Sequence, residues 1–357
     1  MSTAMATMPD MDKLHVFLHK FVGDLGATLH AGMVVIGENL GLYKALATGA
    51  MTSAELAAKT GVDERYLREW LASQAAGGYV TFNEDTNKFS LDAEQAFTLA
   101  NEDSPAYLPG AFELALASLG SVPRITECFR TGAGMGWGEH SEGVYHGCEK
   151  FFRPSYAANL VSAWIPALDG VKEKLEKGAT VADIGCGKGS STRLMAQSFP
   201  NSRFFGFDYH DKSIEGARES AQREGLGDRI TFSVSSAKEI PGKGYDFVTV
   251  FDCLHDMGDP VGAASHIRRI IADNGTWMIV EPFANDQMKD NLNPLGRAYY
   301  GFSTLLCTPC SRSQEVGMCL GAQAGEAKIR EIVTAAGFTR FRRAAETPFN
   351  IVYETRP

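Results

Sequence analysis

The spacing of hydrophobic residues changes near residue 180. Before this point apolar positions recur at helical spacing, as at Leu14, Phe17, Leu18 and Phe21 within residues 13–48. After it, short apolar segments alternate with amphipathic ones, which is typical of a sheet whose parallel strands are joined by helices. The pattern predicts a mainly helical N-terminal part and a C-terminal α/β domain.

Within the N-terminal part, the segment 52–91 predicts two helices and a hairpin. Helices are predicted over 54–59 and 64–76. Each begins after a residue that favours a helix N-cap and ends before a glycine. Alternating segments at 79–82 and 88–91 predict the two hairpin strands. Two helices followed by a hairpin make a winged helix.

A winged helix can bind DNA or serve as a scaffold, and charge favours the scaffold. From Thr52 to Leu91 there are six acidic and four basic residues, a net charge of −2, and the whole chain carries −9. The second helix opens with Asp63-Glu64, which would face phosphates. We expect no nucleic-acid partner. The stretch from Leu29 to Leu46 is apolar on nearly every face, which predicts a dimer interface.

The length of 357 residues indicates more than one domain. We predict a winged-helix and dimerisation domain over 1–95, a helical linker and pocket region over 96–175, and a nucleoside-binding domain over 176–357. No apolar run reaches 18 residues, so no membrane span is expected. Residues Met1 to Asp12 lack a basic segment followed by an apolar one, so no signal peptide is expected.

The seven cysteines are odd in number and scattered, which does not indicate a disulfide framework and favours a reduced, cytoplasmic protein. Cys307 and Cys310 form a single CxxC pair with no second pair or histidine close in sequence. We therefore expect no metal, and interpret the pair as small apolar residues near a pocket.

The α/β domain is predicted as five parallel strands and a closing hairpin. The expected strands are 181–184, 203–208, 230–233, 247–251 and 276–281, with the hairpin at 340–343 and 349–353. Helices are expected at 190–197, 212–224, 261–271 and 326–336, and a long insertion at 283–325. The predicted fold class is α/β: a Rossmann-like, doubly wound, mostly parallel sheet preceded by a mainly helical winged-helix domain.

A glycine loop follows the first strand and reads Asp183-Ile184-Gly185-Cys186-Gly187-Lys188-Gly189. Its glycines let the backbone approach a ligand, and the next helix points its N-terminus at the same place. The third glycine comes one residue earlier than in a dinucleotide fingerprint. Together with Asp183, which we expect to face a positive charge, this favours a sulfonium-bearing nucleoside over a pyrophosphate.

The second strand ends in Asp208, 19 residues after Gly189. An acid at this tip can accept hydrogen bonds from both hydroxyls of a ribose. The alternative is that Asp208 caps the following helix. Tyr209 follows directly and could stack on an adenine ring.

Together these residues resemble the glycine loop and acidic loop of class I S-adenosylmethionine-dependent methyltransferases. The segment Asp252-Cys253-Leu254-His255-Asp256-Met257-Gly258-Asp259-Pro260 resembles the strand-end motif of the winged-helix O-methyltransferases, the plant caffeate and flavonoid type and its bacterial relatives. The resemblance implies S-adenosylmethionine as cofactor, S-adenosylhomocysteine as product, a small-molecule hydroxyl as acceptor and a homodimer.

The resemblance also implies site residues. Cofactor contacts are expected from Ser236 and Ala237 after the third strand and from Phe251 and Asp252 at the end of the fourth, beside Asp183, Gly185, Cys186, Gly187, Asp208 and Tyr209. Relatives carry an aspartate, a tryptophan and a basic residue where this chain has Ser236-Ala237, Met257 and Phe251. We therefore expect different adenine contacts here.

In that family the histidine of the His-Asp pair deprotonates the acceptor, a role that falls on His255. Glu281, which closes the fifth strand, would orient the imidazole, and Glu326, which opens the following helix, would be a second flanking acid. The alternatives are a structural hydrogen bond for His255 and a favourable first-turn acid for Glu326.

The substrate pocket is expected from three parts of the chain. They are a flap at 132–138 that carries Trp137, the insertion, and N-terminal helices. Aromatic and methionine residues of the insertion, among them Tyr299, Phe302 and Met318, suit an apolar acceptor. The alternative for the flap is a plain connector.

Two other functions remain open from the sequence. One is a DNA-binding regulator that senses S-adenosylmethionine. The other is a relative of the same fold that performs decarboxylation or hydroxylation with the same cofactor.

Overall fold

The computed structural model describes residues 8–357, so the first seven residues used for the signal-peptide prediction lie outside it. The chain forms two compact units, Met1–Leu116 and Ala117–Pro357. Between residues 8 and 357 no helix is long and apolar enough to cross a membrane.

From residue 8 onward, the first unit contains six helices and a short hairpin. Its helices are α1 (Met11–Asn39), α2 (Leu42–Leu46), α3 (Ser53–Thr60), α4 (Glu64–Ala76), α5 (Ala93–Leu99) and α6 (Pro109–Leu119), the last of which runs into the second unit. The hairpin pairs β1 (Thr81–Asn83) with β2 (Lys88–Ser90) in antiparallel register. Leu56, Leu67, Trp70 and Leu71 from α3 and α4 are buried in the core of this unit.

Local sequence explains where α3 and α4 begin. Thr52 and Glu55 form a capping box: the Glu55 N–H donates to Thr52 Oγ1 at 3.2 Å, and the Thr52 N–H donates to Glu55 Oε2 at 2.8 Å. Asp63 Oδ1 accepts the Tyr66 N–H at 3.1 Å at the start of α4. Gly61, at φ +71°, ends α3 in a left-handed conformation. The predicted helix–helix–hairpin order is therefore present.

Helix α1 exposes a row of large apolar side chains along its first two thirds. Phe17, Phe21, Leu25 and Leu29 follow one another at intervals of four residues and are 50–65% exposed. At this spacing they share one face of the helix. The segment further along, around Val34, Leu42 and Leu46, is buried within the first unit.

The second unit contains the remaining helices and the main sheet. The helices are α7 (Val122–Thr131), α8 (Glu142–Asn159), α9 (Val171–Lys177), α10 (Ser190–Ser198), α11 (Asp211–Arg223), α12 (Pro260–Ile270), α13 (Pro294–Phe302), α14 (Thr308–Ser313) and α15 (Glu326–Ala335). The strands are β3 (Thr180–Ile184), β4 (Arg203–Asp208), β5 (Ile230–Val234), β6 (Tyr245–Phe251), β7 (Ile271–Pro282), β8 (Arg340–Glu346) and β9 (Asn350–Arg356).

These seven strands form one sheet in the order β5-β4-β3-β6-β7-β9-β8. The first five are parallel, and β9 lies antiparallel between β7 and β8. Apolar side chains cover both faces, with β3 giving Val181 to one core and Ala182 and Ile184 to the other. The predicted α/β class with a doubly wound, mostly parallel sheet is confirmed.

The strand order reverses direction on either side of β3. From β3 the chain first proceeds outward to β4 and β5 and then returns to add β6 on the opposite side. At such a point the loops after two neighbouring strands separate and leave a crevice at their carboxyl ends. The loops after β3, β4 and β6 all open at this place.

Candidate active site

A cavity of about 390 Å³ lies at the carboxyl ends of β3, β4 and β6. All of the predicted cofactor-binding residues except Asp183 line it: Gly185, Cys186, Gly187, Asp208, Tyr209, Ser236, Ala237, Phe251 and Asp252. These residues come from four separate loops, so the fold brings together what the sequence keeps far apart.

The glycine loop requires glycine for steric reasons at its first position. Gly185 has φ +70°, and a Cβ there would lie 2.5 Å from Cys253 Sγ. The Gly185 and Cys186 N–H groups both donate to the carbonyl of Phe207 on β4, at 2.7 and 3.1 Å. The loop therefore bends closely over the neighbouring strand, and only a residue without a side chain fits.

Asp183 lies beneath this loop rather than on the cavity wall. Its side chain is fully buried and accepts hydrogen bonds from Ser191 Oγ at 2.7 Å, Thr192 Oγ1 at 2.6 Å and Thr249 Oγ1 at 2.8 Å. Burial raises the pKa of the carboxyl, although the three hydroxyls act in the opposite direction. These three hydrogen bonds join the start of α10 to β3 and β6. The sequence predicts that Asp183 faces the positive charge of the cofactor, whereas the structure places its carboxylate among these buried hydroxyls.

Asp208 joins two loops at the cavity edge. Its Oδ2 accepts the Gly187 N–H at 2.9 Å, and its Oδ1 accepts the His210 N–H at 2.8 Å. Burial raises the pKa of Asp208, and these backbone donors oppose the shift. Each carboxylate oxygen has a further lone pair. Tyr209 lies on the same edge, half exposed, with its hydroxyl 3.6 Å from Cys310 Sγ.

Asp252 stands at the end of β6 with φ +49° and is held by two donors. The Tyr156 hydroxyl donates to Oδ2 and the Asn350 side-chain amide donates to Oδ1, both at 2.8 Å. Burial, followed by the nearby charge of Glu281, raises the pKa of Asp252 to about 7. Asn350 lies on β9, so the last strand of the chain contributes to this wall.

Helix α8 lies within the predicted pocket region 96–175 and supplies a wall of the cavity. The cavity is lined from this helix by Tyr145, Cys148, Glu149, Phe152 and Tyr156, which share one helix face. The sequence analysis named none of these five residues, although their helical periodicity stands in the sequence.

The predicted histidine–glutamate pair is brought together below the cavity. His255 is 3% exposed, and its Nδ1 lies 2.5 Å from Glu281 Oε2. Glu281 Oε1 also accepts the Leu254 N–H at 3.1 Å, which fixes the carboxylate. Burial lowers the pKa of His255, but the carboxylates of Glu281 and Asp256 act more strongly, so the net effect raises it well above its ordinary value.

The second imidazole nitrogen faces Asp256. His255 Nε2 lies 3.2 Å from Asp256 Oδ1, and Asp256, not His255, is the member of the pair that lines the cavity. A carboxylate therefore lies against each imidazole nitrogen, and His255 itself does not line the cavity. The sequence analysis had not assigned a role to Asp256.

Glu326 lies away from this cluster. Its carboxylate pairs with Arg330 at 2.7 Å and with Arg343 on β8 at 3.0 Å. It is also the first residue of α15, where an acid is favourable. The charges that act on His255 are those of Glu281 and Asp256. The structure therefore matches the alternative interpretation of Glu326 as a first-turn acid.

The insertion after β7 is held against the His-Asp segment by Gln314. The Gln314 amide donates to the carbonyl of Asp256 at 2.9 Å and accepts the Gly258 N–H at 3.0 Å. Ser311 Oγ donates to the carbonyl of Met257 at 2.9 Å. Through these bonds Cys310 and Gln314 reach the cavity wall. Tyr299 is instead buried, with its hydroxyl donating to the carbonyl of Phe349.

The predicted flap places Trp137 at the cavity. Trp137 lies in a short 3₁₀ turn, and its carbonyl accepts the Tyr145 hydroxyl at 2.7 Å. Behind it, His140 is buried, with Nδ1 3.2 Å from Ser121 Oγ. The Met135 N–H donates to the carbonyl of Pro309 in the insertion. The segment is thus bonded to its surroundings on both sides of Trp137.

Comparison with protein families gives two matches. A methyltransferase domain matches residues 175–337, and an Rv2258c-like winged helix-turn-helix domain matches residues 28–101. A probable chloroplastic tocopherol O-methyltransferase from Oryza sativa subsp. japonica is 27% identical over 46% of this chain and 49% of its own length. The chain thus spans about half the length of this curated relative.

Solved structures share the fold along nearly the whole chain. An O-methyltransferase described as putative, from Nostoc punctiforme, is 21% identical with a TM-score of 0.74, covering 98% of this chain and 99% of its own. Human N-acetylserotonin methyltransferase, solved with S-adenosylmethionine, is 15% identical with a TM-score of 0.71, and 99% of each chain is covered. At these identities the likeness concerns the fold.

The two family matches cover the two parts in which the sequence motifs lie. The methyltransferase match contains the glycine loop, Asp208 and the His255–Asp256 segment, and the winged-helix match contains α3, α4 and the hairpin. The chain therefore carries a methyltransferase domain over residues 175–337 and a winged helix-turn-helix domain over residues 28–101, as the resemblance of its motifs predicts.

Proposed function

We propose that this protein transfers a methyl group from S-adenosylmethionine to a hydroxyl group of a small molecule. The observation that carries this proposal is that the glycine loop, Asp208 and Asp256 line one cavity within a methyltransferase domain, with the His255–Glu281 pair buried behind Asp256. A cavity of about 390 Å³ has the size of a small-molecule site.

The cofactor lies along the glycine loop in this proposal. Asp208 accepts the ribose hydroxyls with the lone pairs that its backbone bonds leave free, and Tyr209 covers the adenine. Ser236 Oγ already donates to Glu239 Oε2 at 2.8 Å, so the hydroxyl can accept from an adenine amine. Asp183 acts from below by holding the start of α10.

The acceptor lies between α8 and the end of β6. Phe152, Tyr156, Phe251 and Met257 give this side an apolar and aromatic lining, which suits a planar acceptor such as a phenol. The acceptor oxygen forms a bond to the methyl carbon as the carbon–sulfur bond breaks. S-adenosylhomocysteine leaves with that electron pair on sulfur, and the hydroxyl proton of the acceptor passes to Asp256, the member of the His255–Asp256 pair that lines the cavity.

The cofactor assignment is tested with Asp208→Ala and the matched control Asp211→Ala. Asp211 is an exposed acid in the first turn of α11. We expect Asp208→Ala to weaken S-adenosylhomocysteine binding at least ~10-fold by calorimetry, since two hydrogen bonds to a charged group are lost, and Asp211→Ala to bind normally. Equal affinities in both variants would contradict the ribose assignment.

We propose that His255 takes part in acceptor activation through Glu281 and Asp256, because its two nitrogens face their carboxylates. We expect His255→Ala to lower turnover about 100-fold while cofactor affinity stays unchanged. Turnover is followed by product mass, in which a methyl group adds about 14 mass units. Other chemistry on the same fold would give a different mass, and normal turnover would exclude His255 from the reaction.

We propose that the winged helix does not bind DNA. Both arginines of α4 are engaged within their own helix: Arg65 pairs with Glu69 at 2.6 Å, and Arg68 lies 3.6 Å from Glu64. A helix that reads DNA needs such charges free for phosphates. Tight, sequence-dependent gel shifts at low salt would favour the S-adenosylmethionine-sensing regulator instead.

We propose that the apolar face of α1 packs against a second copy of the chain. Phe17, Phe21, Leu25 and Leu29 form a row too long and too apolar for a solvent-exposed helix face. Light scattering of Phe17→Glu/Phe21→Glu is expected to report half the wild-type mass. Lys20→Glu, which changes an exposed charge on the same helix, should leave the mass unchanged. A monomeric wild type would contradict the proposal.

We also propose a reducing, cytoplasmic location. Cys128, Cys148, Cys186, Cys253, Cys307, Cys310 and Cys319 are all free thiols, which is usual for proteins of that compartment.

A further inference from the structure

The negative charges that line the cavity are not all balanced in the same way. Four carboxylates of the described chain line it: Glu149, Asp208, Asp252 and Asp256. Glu149 pairs with Arg193 at 3.2 Å and with Lys188 at 3.9 Å. Asp256 lies 3.2 Å from His255, whose pKa is raised so far that the imidazole carries a positive charge. These two carboxylates therefore have cations of the protein beside them.

The other two carboxylates accept hydrogen bonds from uncharged groups. Asp208 accepts two backbone N–H groups, and the proposed function assigns its remaining lone pairs to the ribose. Asp252 accepts from the Tyr156 hydroxyl and from the Asn350 amide, both at 2.8 Å. It forms no ion pair with another residue between 8 and 357. Asp252 is therefore a cavity carboxylate that no paired cation of the described chain neutralises.

The backbone holds Asp252 at the cavity in a strained conformation. Asp252 directly follows the last residue of β6 and has φ +49°, which is uncommon for residues other than glycine. Its N–H donates to the carbonyl of Val280 on β7 at 2.8 Å, and its two side-chain donors come from α8 and β9. Residues that several neighbours hold in such a conformation cluster at functional sites. Three separate elements thus fix this carboxylate.

The surroundings of Asp252 favour a cationic ligand beside it. Burial, followed by the charge of Glu281, raises the pKa of Asp252 to about 7. The charge of Asp256 acts in the same direction, and Tyr156 and His255 oppose the shift. A cation in the cavity favours the charged form of such a carboxyl. Binding of a cation and ionisation of Asp252 therefore support each other.

We propose that Asp252 faces the sulfonium of S-adenosylmethionine and distinguishes this cofactor from S-adenosylhomocysteine. The inference rests on the proposed function, in which Asp208 binds the ribose at the end of β4 and the acceptor lies at the end of β6. A single methylene group joins the sulfur to the ribose ring, and the methyl group on sulfur must point to the acceptor. The positive charge therefore lies on the side of the cavity where Asp252 ends β6. Asp183, which the sequence assigns to this role, is buried beneath the loop.

The charge that Asp252 faces is lost in the reaction. Methyl transfer turns the sulfonium into the neutral thioether of S-adenosylhomocysteine, so the attraction to Asp252 is absent from the product. Because the positive charge on sulfur already falls in the transition state, this attraction strengthens cofactor binding rather than the chemical step. Asp252 is thus a specificity residue, which favours the charged cofactor over the product that competes for the same site.

The test measures the affinities for S-adenosylmethionine and S-adenosylhomocysteine by calorimetry, without an acceptor. Asp252→Asn removes the charge and keeps the size of the side chain. Tyr156→Phe removes a donor that favours the charged carboxyl. Asp211→Asn is the matched control, because it neutralises an exposed acid that does not line the cavity. The Kd for S-adenosylhomocysteine divided by the Kd for S-adenosylmethionine reports the preference for the charged ligand.

We expect this ratio to fall at least ~10-fold in Asp252→Asn, by a smaller factor in Tyr156→Phe, and not in Asp211→Asn. Affinity for S-adenosylhomocysteine should stay near that of wild type, which also shows that each variant is folded. A wild-type ratio in Asp252→Asn, or an equal loss of affinity for both ligands, overturns the role of Asp252 and leaves methyl transfer standing. Should Asp252→Asn fail to fold, an unchanged ratio in Tyr156→Phe overturns it. A wild type that binds neither ligand contradicts the proposed function itself.

Discussion

Two regions beside the cavity are built on opposite principles. We call the first the loop wall: it is the glycine loop Gly185–Gly189 with Asp208, and Asp183 is buried beneath it; its carboxylates accept hydrogen bonds from backbone N–H groups and hydroxyls. We call the second the cluster wall: Asp256 lines the cavity, His255 and Cys307 are buried behind it, and a buried oxygen of Asp256 has no hydrogen-bond partner in the described chain. The polar groups of the loop wall hold one another in place. The cluster wall instead carries the cost of an unsatisfied buried oxygen.

The largest effect that separates the two walls is expected from Asp183→Ala. Removing this carboxylate leaves three buried hydroxyls without their acceptor, so we expect the free energy of unfolding to fall by about 3–5 kcal/mol. Asp183→Asn keeps one acceptor oxygen and should cost less. Urea denaturation measures both. A small stability loss combined with abolished cofactor binding would instead support direct contact with the cofactor.

Gly185→Ala tests the loop wall by sterics. The new Cβ combines the left-handed backbone with a 2.5 Å approach to Cys253 Sγ, and we expect a loss of about 3 kcal/mol in unfolding free energy. Gly225 also has a positive φ, +68°, but open space around it. Gly225→Ala should therefore cost only about 1 kcal/mol. Similar melting temperatures for the two variants would mean that the loop relaxes away from β6.

A weaker effect is expected from pH at the segment behind Trp137. Burial lowers the pKa of His140, opposed by Glu139, and Ser121 Oγ and the Tyr145 hydroxyl are its polar neighbours. A lowered folded-state pKa means that neutral His140 stabilises the fold above the ordinary value of 6.5. This contribution is lost as pH falls below that value.

The measurement for His140 compares unfolding free energies at about pH 7.5 and about pH 5.5. Wild type should lose more stability on acidification than His140→Gln, which cannot take up a proton. The pKa of His30 is also lowered by burial. Because His140→Gln retains His30, the stability that His30 loses on acidification is the same in both proteins. Equal losses in the two proteins would show that His140 is not responsible.

The smallest effect is expected from Glu326→Ala, outside both walls. Glu326 pairs with Arg330 and Arg343, which are 49% and 37% exposed, so solvent screens both interactions. We expect less than about 1 kcal/mol of destabilisation and an unchanged methylation rate. A rate loss comparable to that of His255→Ala would restore Glu326 to the catalytic group.

The loop wall was largely predictable from sequence, and the cluster wall was not. Glycine spacing, a strand and an acid at the next strand end are local signals, and they placed Gly185, Gly187 and Asp208 at the same cavity. The contacts of Asp183 differ from the expected positive charge, because its three hydroxyl partners come from α10 and β6, which are distant from it in sequence or lie beyond the loop.

The missing parts of the site depend on packing between distant segments. Cys307 meets His255 only because the insertion folds back and Gln314 binds the Asp256 carbonyl and the Gly258 N–H. Glu326 fills the first turn of α15 and faces the arginines of its neighbours. No spacing rule spans a gapped insertion of this kind, because its loops carry no fixed period.

The position of β9 has a consequence for how the protein is made. This strand, Asn350–Arg356, lies between β7 and β8, and Asn350 holds the carboxylate of Asp252 at the cavity. Synthesis proceeds from the N-terminus, so the first unit can fold while the rest is still being translated. The sheet must then wait, open between β7 and β8, until residues 350–356 have left the ribosome. The Asp252 side of the cavity therefore cannot be completed before β9 has been synthesised.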